Sequence, residues 1–267
     1  MKYDIDTHLF LNRLIEKYEV YEFINKDPIQ FPRIYKRHKR DAEIVAFLCS
    51  VISWGNRKTI INDCCRLLKN ITPFNGALPY DYVMRGKYDN VDDNACVHRT
   101  SKWKDIKYLM RGLKRLYEMT GDAGMELLFS HDNNDIWGNI STMRQIFIEA
   151  NDGETNVCFP SPQTSPCKRL MMMLRWLVRK DSVVDMGIWK DVSPSKLIIP
   201  LDVHVFNSSL ELGLTEHTNV SRKTAEDITC ALREYDRKDP CRYDFALFGY
   251  GIHKNHIEND TIRTFKK

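Results

Sequence analysis

The chain has 267 residues, of which 43% are hydrophobic, and this is enough apolar material to bury a substantial core. Its formal net charge of +4 is only mildly basic and identifies no class of partner by itself. Long uncharged apolar runs and the apolar segment of a secretory signal are both missing, so we expect a cytoplasmic protein without a membrane partner.

Helical periodicity dominates the chain, whereas the alternating runs typical of strands are almost absent. The first helix is predicted over 7–19. A second starts with Asp41 as its N-cap and ends near Trp54, and a third follows at once with apolar residues from Ile60 to Leu68. Further helices are predicted over 103–118, 138–149, 168–180, 203–212, 222–235 and 241–250. The pattern predicts an all-α protein.

The eight cysteines are spread along the chain and include no C-x-x-C pair. Zinc and iron–sulfur sites need ligands grouped a turn or a loop apart, so we predict neither a metal nor another cofactor. Cys49 and Cys230 fall within helical apolar patterns, where a cysteine serves as a small core residue.

The segment 168–180, KRLMMMLRWLVRK, combines an apolar stripe with a second face that carries Lys168, Arg175 and Arg179. Lys168 lies in the first turn, after the irregular stretch 150–167. Positive charges nearby favour the neutral form of an amine, which is the form that attacks as a nucleophile. A solvated cationic face is the alternative interpretation of the same periodicity.

The segment IIPLDVHVF at 198–206 places Asp202 two residues after Pro200, at the start of a predicted helix. Proline is excluded from a helix interior, and aspartate is a favoured N-cap residue. Backbone N–H groups at a helix N-terminus hold and orient such a carboxylate, which suits it to stabilise a developing cation. An N-cap without any further role is the alternative.

PLDVHV, followed by an apolar helix and LGL, resembles the motif of the helix–hairpin–helix DNA glycosylases, whose aspartate serves catalysis. By this resemblance Asp202 is the catalytic aspartate and His204 is the motif histidine. Lys168 in SPCKRLMMMLRW corresponds to the nucleophilic lysine that opens the second helix of the hairpin. The number of residues between Lys168 and Asp202 is most similar to that in the archaeal 8-oxoguanine DNA glycosylase branch. FLCSVISWGNRKTI and YDFALFGYGI resemble the early helix–turn–helix and the closing helix of that superfamily.

The closest overall resemblance is to an uncharacterised bacterial family that shares these stretches. The resemblance implies one all-α unit over 1–267, with two helical lobes, a cleft between them and a location in the bacterial cytosol. It implies a DNA glycosylase with a Schiff-base lyase step, which excises a damaged base, such as an oxidised purine, in base excision repair. The partner would be double-stranded DNA that contains the damaged base, and no protein partner is inferred.

Several further residues are candidates for contacts with that DNA. Trp54 in SWGNR is a possible stacking platform for an extruded base, and Arg57 and Lys58 at the next helix start are candidate phosphate ligands. Residues 159–167 contain no glycine, unlike the usual hairpin, so the hydroxyl of Ser165 and a helix N-terminus are the phosphate contacts that we expect there. Arg175 and His204 complete the predicted set.

Three other functions stay open at this stage. A DNA-binding helical protein could have kept the scaffold and lost the chemistry. A metal-dependent hydrolase could be built on Asp202 and His204, although residues at i and i+2 of a helix start point apart. A helical module for small molecules or proteins is the third, because a fold does not fix a function. Salt-sensitive DNA binding would separate the third alternative from a DNA-binding protein.

Overall fold

The computed structural model describes residues 5–72, 78–130 and 135–253, and most of that part of the chain is helical, which confirms the all-α prediction. The α-helices are α1 (Ile5–Tyr18), α2 (Gln30–Ile34), α3 (Lys39–Val51), α4 (Arg57–Ile71), α5 (Pro79–Met84), α6 (Trp103–Thr120), α7 (Glu126–Ser130), α8 (Ile136–Glu149), α9 (Lys168–Val178), α10 (Val203–Glu211), α11 (Arg222–Tyr235) and α12 (244–253). Within the described ranges, none of them combines the length and the hydropathy needed to cross a bilayer.

Short 3-10 helices and one hairpin complete the described structure. The 3-10 helices are Tyr21–Lys26, Lys87–Asn90, Gly121–Ala123, Pro194–Lys196 and Pro240–Tyr243. Strands β1 (Cys96–His98) and β2 (Ser101–Lys102) pair in an antiparallel hairpin between α5 and α6. Strands of three and two residues are too short for alternation to show in a sequence, so the hairpin was not predicted.

Side-chain caps fix several helix starts. Asn56, Asp135, Asp202 and Ser221 each accept a hydrogen bond from a backbone N–H in the first turn of α4, α8, α10 and α11. The prediction that Asp41 caps α3 is wrong, because α3 begins two residues earlier, at Lys39. The Asp41 carboxylate instead accepts a hydrogen bond of 2.8 Å from Tyr80 N and so joins α3 to the start of α5.

Two helices form the centre of the core. Every side chain from Asp41 to Val51 of α3 is buried, and so is every one from Leu170 to Val178 of α9. These two helices pack against each other, while α6 packs against α8. A helix that is buried on all faces lies inside the molecule. The N-terminus of α9, at Lys168, lies at the candidate site. The buried apolar side chains form one continuous cluster, and the division into two lobes stays a prediction.

The interpretation of segment 168–180 as carrying a solvated cationic face is wrong for Arg175 and Arg179. Arg175 and Arg179 are 5% and 1% exposed. The guanidinium of Arg175 contacts Asp244 directly, and its Nε lies 3.3 Å from Oδ1 of Asp185. Arg179 pairs with three carboxylates, those of Glu19, Asp185 and Asp239. Acidic groups from distant segments therefore neutralise the charges that periodicity assigned to solvent.

All eight cysteines are free thiols. Cys49 is fully buried in α3, as predicted. Cys230 is exposed, and its predicted core position is wrong because α11 turns Ile228 and Leu232 toward the core instead.

Candidate functional site

Lys168 and Asp202 stand at the N-termini of α9 and α10, and these helices bring the two side chains together. Nζ of Lys168 lies 3.8 Å from Oδ2 of Asp202. Oδ1 of the same carboxylate accepts hydrogen bonds from the backbone N–H groups of His204 and Val205, at 2.9 and 3.0 Å. The helix cap thus fixes the carboxylate and leaves its second oxygen facing the amine.

The turn before Lys168 reaches a left-handed backbone without a glycine. Cys167, the residue that precedes α9, has φ 47° and ψ 38°. Its N–H donates a hydrogen bond of 3.1 Å to Oγ of Ser165. A non-glycine residue adopts this conformation only where the surrounding structure imposes it, and the side chain of Cys167 is buried. The absence of glycine from 159–167 therefore does not prevent a tight turn into α9.

A cavity on two levels surrounds the lysine and the aspartate. The inner level, of about 60 Å³, is lined by Phe23, Asp27, Arg57, Lys168, Met172, Arg175, Pro200, Asp202, Asp244, Phe245 and Phe248. The outer level, of about 440 Å³, shares Asp27, Arg57, Lys168, Met172, Asp202 and Phe248 with it. The outer level adds a wall that includes Ser53, Trp54, Gly55, Arg169 and His204. Three carboxylates, four lysine or arginine side chains and several aromatic rings therefore line this cavity.

Two of these carboxylates are buried acids. Burial raises the pKa of Asp27, although the Ile29 N–H, at 3.1 Å from Oδ1, and the charge of Arg57 oppose the rise. Burial raises the pKa of Asp244 to about 6, despite the direct contact with Arg175. A carboxyl group with a raised pKa holds a proton at a higher pH than usual, so the cavity wall can carry exchangeable protons.

Arg57 is placed between two aromatic rings at the start of α4. Its guanidinium carbon lies 5.4 Å from the ring centroids of both Phe23 and Phe248. Cation–π attraction holds such a group without neutralising it, so Arg57 is suited to bind an anion at the opening. The next residue, Lys58, is exposed and lines neither level of the cavity.

Trp54 forms part of the outer wall. The guanidinium carbon of Arg99 lies 4.6 Å from its ring, and the ring of His98 meets it edge-on at 5.2 Å. Trp54 is half-buried, whereas Trp103 and Trp176 are 3% and 0% exposed and belong to the core. Among these three tryptophans, only Trp54 has a ring that a ligand in the cavity could reach.

The remaining predicted site residues, His204, Ser165 and Arg175, lie in three different environments. His204 is exposed on the outer wall, and its ring packs edge-on against that of Phe248. Ser165 is half-buried, and its oxygen accepts the hydrogen bond from Cys167. The position of Arg175 corrects the prediction that it contacts DNA directly. It lies in the wall of the inner cavity and is ion-paired, whereas a direct phosphate contact requires an accessible, unpaired guanidinium.

Sequence reasoning missed two acids of the inner wall, Asp27 and Asp244, and its aromatic rings. Phe23 lies in the 3-10 helix Tyr21–Lys26 and Asp27 follows it, and a helix of six residues is too short for a periodic pattern to mark them. Asp244 and Phe248 lie in YDFALFGYGI, and an acid at the start of an apolar helix was the available signal for Asp244. Within the described part of the chain, no group of three or more His, Cys, Asp or Glu side chains is arranged to hold a metal ion.

Comparison with known proteins gives one match. The family model described as "Protein of unknown function (DUF2400)" matches residues 27–253, and the chain belongs to that family. No curated protein and no solved structure matches the chain. The matched segment includes Asp27 and the whole of α9 and α10, so the cavity lies almost entirely inside the part that defines the family.

Proposed function

We propose that this member of the DUF2400 family is a DNA glycosylase that removes a damaged base from double-stranded DNA through a covalent intermediate on Lys168. The observation that carries the proposal is the 3.8 Å separation between Lys168 Nζ and Asp202 Oδ2 at the base of a cavity with aromatic walls. An amine with an oriented carboxylate beside it is the pair that nucleophilic attack on a sugar carbon requires. The two-lobed helix–hairpin–helix architecture is part of the proposal.

The cavity suits an extruded nucleotide. An enzyme that acts on a base must rotate it out of the stack into a pocket. The outer level, of about 440 Å³, falls within the usual size of small-ligand sites. Trp54 and Phe248 offer faces for stacking, and the cation of Arg57 at the opening can hold a flanking phosphate. Lys58, exposed beside Arg57, extends this basic edge toward the duplex.

The positions of Lys168, Asp202 and Asp27 give each of them a role in base release. The neutral amine of Lys168 attacks C1′ of the deoxyribose. The bond between C1′ and the base nitrogen breaks, and its electron pair leaves with the base, which takes up a proton. Oδ2 of Asp202 lies beside the amine and stabilises the positive charge that develops on the sugar. Asp27 lines both levels and has a raised pKa, so it is suited to give the proton to the departing base.

The lyase step uses the same lysine. The nitrogen of Lys168, which became positively charged in the attack, passes one proton to O4′ as the C1′–O4′ bond breaks, and a protonated Schiff base between C1′ and Nζ remains. The carboxylate of Asp27, which has given its proton to the departing base, then removes a proton from C2′. The electron pair of that C–H bond forms C2′=C3′, the C3′–O bond breaks, and the 3′-phosphate leaves with its electron pair, so the strand is cut. Each step transfers protons and electron pairs within the groups named, so no oxidant or reductant is needed.

The test is single-turnover base release from duplex oligonucleotides, each with one lesion, starting with 8-oxoguanine and followed by uracil and alkylated purines. The matched control is Lys223→Ala, because Lys223 pairs with Asp227 at 2.7 Å in the first turn of α11. We expect Lys168→Ala to abolish release and strand cleavage, and Lys223→Ala to retain both. A parent protein that binds lesion duplexes and releases no base would contradict the proposal and favour the DNA-binding alternative. A parent that binds no DNA would contradict both.

A further inference from the structure

Arg99 lies at the tip of the β1–β2 hairpin, directly over the turn that joins α3 to α4. Its backbone is left-handed, with φ 52°. Its guanidinium carbon lies 4.6 Å from the centroid of the Trp54 ring. Gly55 has φ 90°, and a Cβ added there would lie 2.3 Å from Nη1 of Arg99. The arginine side chain therefore occupies the space that any other residue at position 55 would need.

A network centred on the buried side chains of His98 and Asp63 fastens the hairpin to this turn. The His98 side chain is 0% exposed. Its Nδ1 lies 2.7 Å from Oδ2 of Asp63 in α4, and its Nε2 lies 2.8 Å from the carbonyl oxygen of Trp54. Arg66 pairs with the other oxygen of Asp63 at 2.9 Å and donates a hydrogen bond of 2.6 Å to Val97 O. These contacts hold the neighbouring residue, Arg99, in a backbone conformation that non-glycine residues rarely adopt.

The charge that is held in this way is available to a ligand. Arg99 is exposed, and its guanidinium has no carboxylate partner among the residues that the structure describes. Trp54 and Gly55, which it covers, both line the outer level of the cavity that contains Lys168. The arginine therefore stands at the rim of the candidate site, and it forms no ion pair with any residue in the described ranges.

We propose that Arg99 enters the duplex at the cavity mouth and contacts the nucleotide opposite the extruded base. This inference rests on the proposed function, because it requires the cavity to receive a base. Extrusion leaves a gap in the stack and an unpaired base on the other strand. A planar guanidinium backed by an indole ring can stack in such a gap and donate hydrogen bonds to acceptors on a base edge. Through these hydrogen bonds, the side chain would distinguish which base lies opposite the extruded one.

The test uses a stable abasic-site analogue, so binding is measured without any chemistry. Fluorescence anisotropy gives the affinity for duplexes with the analogue opposite each of the four bases, and for the single strand that carries it. Arg99→Gly removes the side chain while glycine accepts the left-handed backbone, so this variant is expected to fold. The matched control is Arg40→Ala. Arg40 also stacks on an aromatic ring, with its guanidinium carbon 3.9 Å from the Tyr80 centroid, but Tyr80 lines neither level of the cavity, whereas Trp54 lines the outer level.

We expect Arg99→Gly to bind the duplexes about tenfold more weakly and to lose the dependence on the opposite base. Its affinity for the single strand should stay within about twofold of the parent, since a single strand offers no opposite nucleotide. Equal losses on both substrates would indicate a plain phosphate contact and overturn the inference, and so would unchanged duplex binding.

The two proposals fail in different ways. Normal base release together with unchanged duplex binding in Arg99→Gly would overturn the role of Arg99 and leave the glycosylase proposal standing. A duplex-specific loss in Arg99→Gly, from a parent that releases no base, would support the role of Arg99 and contradict the chemistry.

Discussion

The carboxylate of Asp202 is shared between the N-terminus of α10 and the amine of Lys168. Oδ1 accepts two backbone hydrogen bonds, while Oδ2 lies 3.8 Å from Nζ of Lys168. One oxygen therefore has a structural role and the other faces the proposed nucleophile. Because the two roles fall on different atoms, substitutions at this position can separate them.

Asp202→Asn should keep the fold and lose activity. An asparagine oxygen can still accept from the first turn of α10, so the free energy of unfolding should stay within about 0.5 kcal/mol of the parent. Loss of the negative charge beside the sugar should lower the single-turnover rate at least about a hundredfold. Asp202→Ala should lose the cap as well and cost about 1 kcal/mol of stability. Urea denaturation and base-release kinetics on all three proteins measure both effects. Equal stability of the two variants would contradict the capping role.

The stability that depends on Asp244 should fall as pH rises from about 4 to about 6. Burial raises the pKa of this carboxyl group in the folded protein from 3.8 to about 6. Between these values the folded state binds the proton that the unfolded state has released, so the free energy of unfolding decreases with pH. The full change is on the order of 2–3 kcal/mol. Denaturation at several pH values measures it as the difference between the parent and Asp244→Asn. A difference that is constant or increases over this interval would contradict the assignment.

Most helices could be predicted because their patterns are local. The segment 222–235 was predicted with the bounds that α11 has, and 103–118 differs from α6 by two residues at one end. The hairpin and the short helix α2 could not be predicted, because two to five residues carry too little periodicity.

The candidate site was predictable only where a residue marks a helix start. Lys168 and Asp202 each follow a proline-containing segment, and that local signal placed both at helix N-termini. The surroundings of Arg175 depend on partners far along the chain. Its carboxylate partner Asp244 lies 69 residues away, and helical periodicity contains no information about such a pair. Contacts of this kind arise from packing, so Asp27, Asp244 and the aromatic rings of the inner wall emerged only from the structure.

Arg179→Ala should destabilise the protein by about 3–5 kcal/mol, because it leaves the buried carboxylate of Asp185 and the partly buried ones of Glu19 and Asp239 without their shared cation. Burial lowers the pKa of this guanidinium, but the carboxylates outweigh burial and raise it. The control is Arg111→Ala, which breaks an exposed pair with Asp89 and should cost less than about 0.5 kcal/mol. Urea denaturation compares the two variants. A similar small loss in both would show that the network around Arg179 contributes little.

Gly112→Ala should lower stability by about 1–3 kcal/mol, even though alanine favours helices more than glycine does. A Cβ at this position of α6 would lie 2.2 Å from the ring of Phe147 in α8. The double variant Gly112→Ala/Phe147→Leu should recover part of the loss relative to the sum of the single variants, since leucine gives up ring volume. Thermal and urea denaturation provide the comparison. Strictly additive losses would mean that the two residues do not meet across the α6–α8 interface.

The most direct test of the proposed chemistry is borohydride trapping on duplex DNA that carries one 8-oxoguanine or one abasic site. Borohydride reduces a Schiff base to a stable amine, so an enzyme that reacts through Lys168 becomes covalently joined to the strand. We predict a protein–DNA band with the parent and with Lys223→Ala, none with Lys168→Ala, and a peptide map that places the adduct at Lys168. A band of full intensity in Lys168→Ala, or no band with any substrate that the parent binds, would contradict the assignment of Lys168 as the nucleophile.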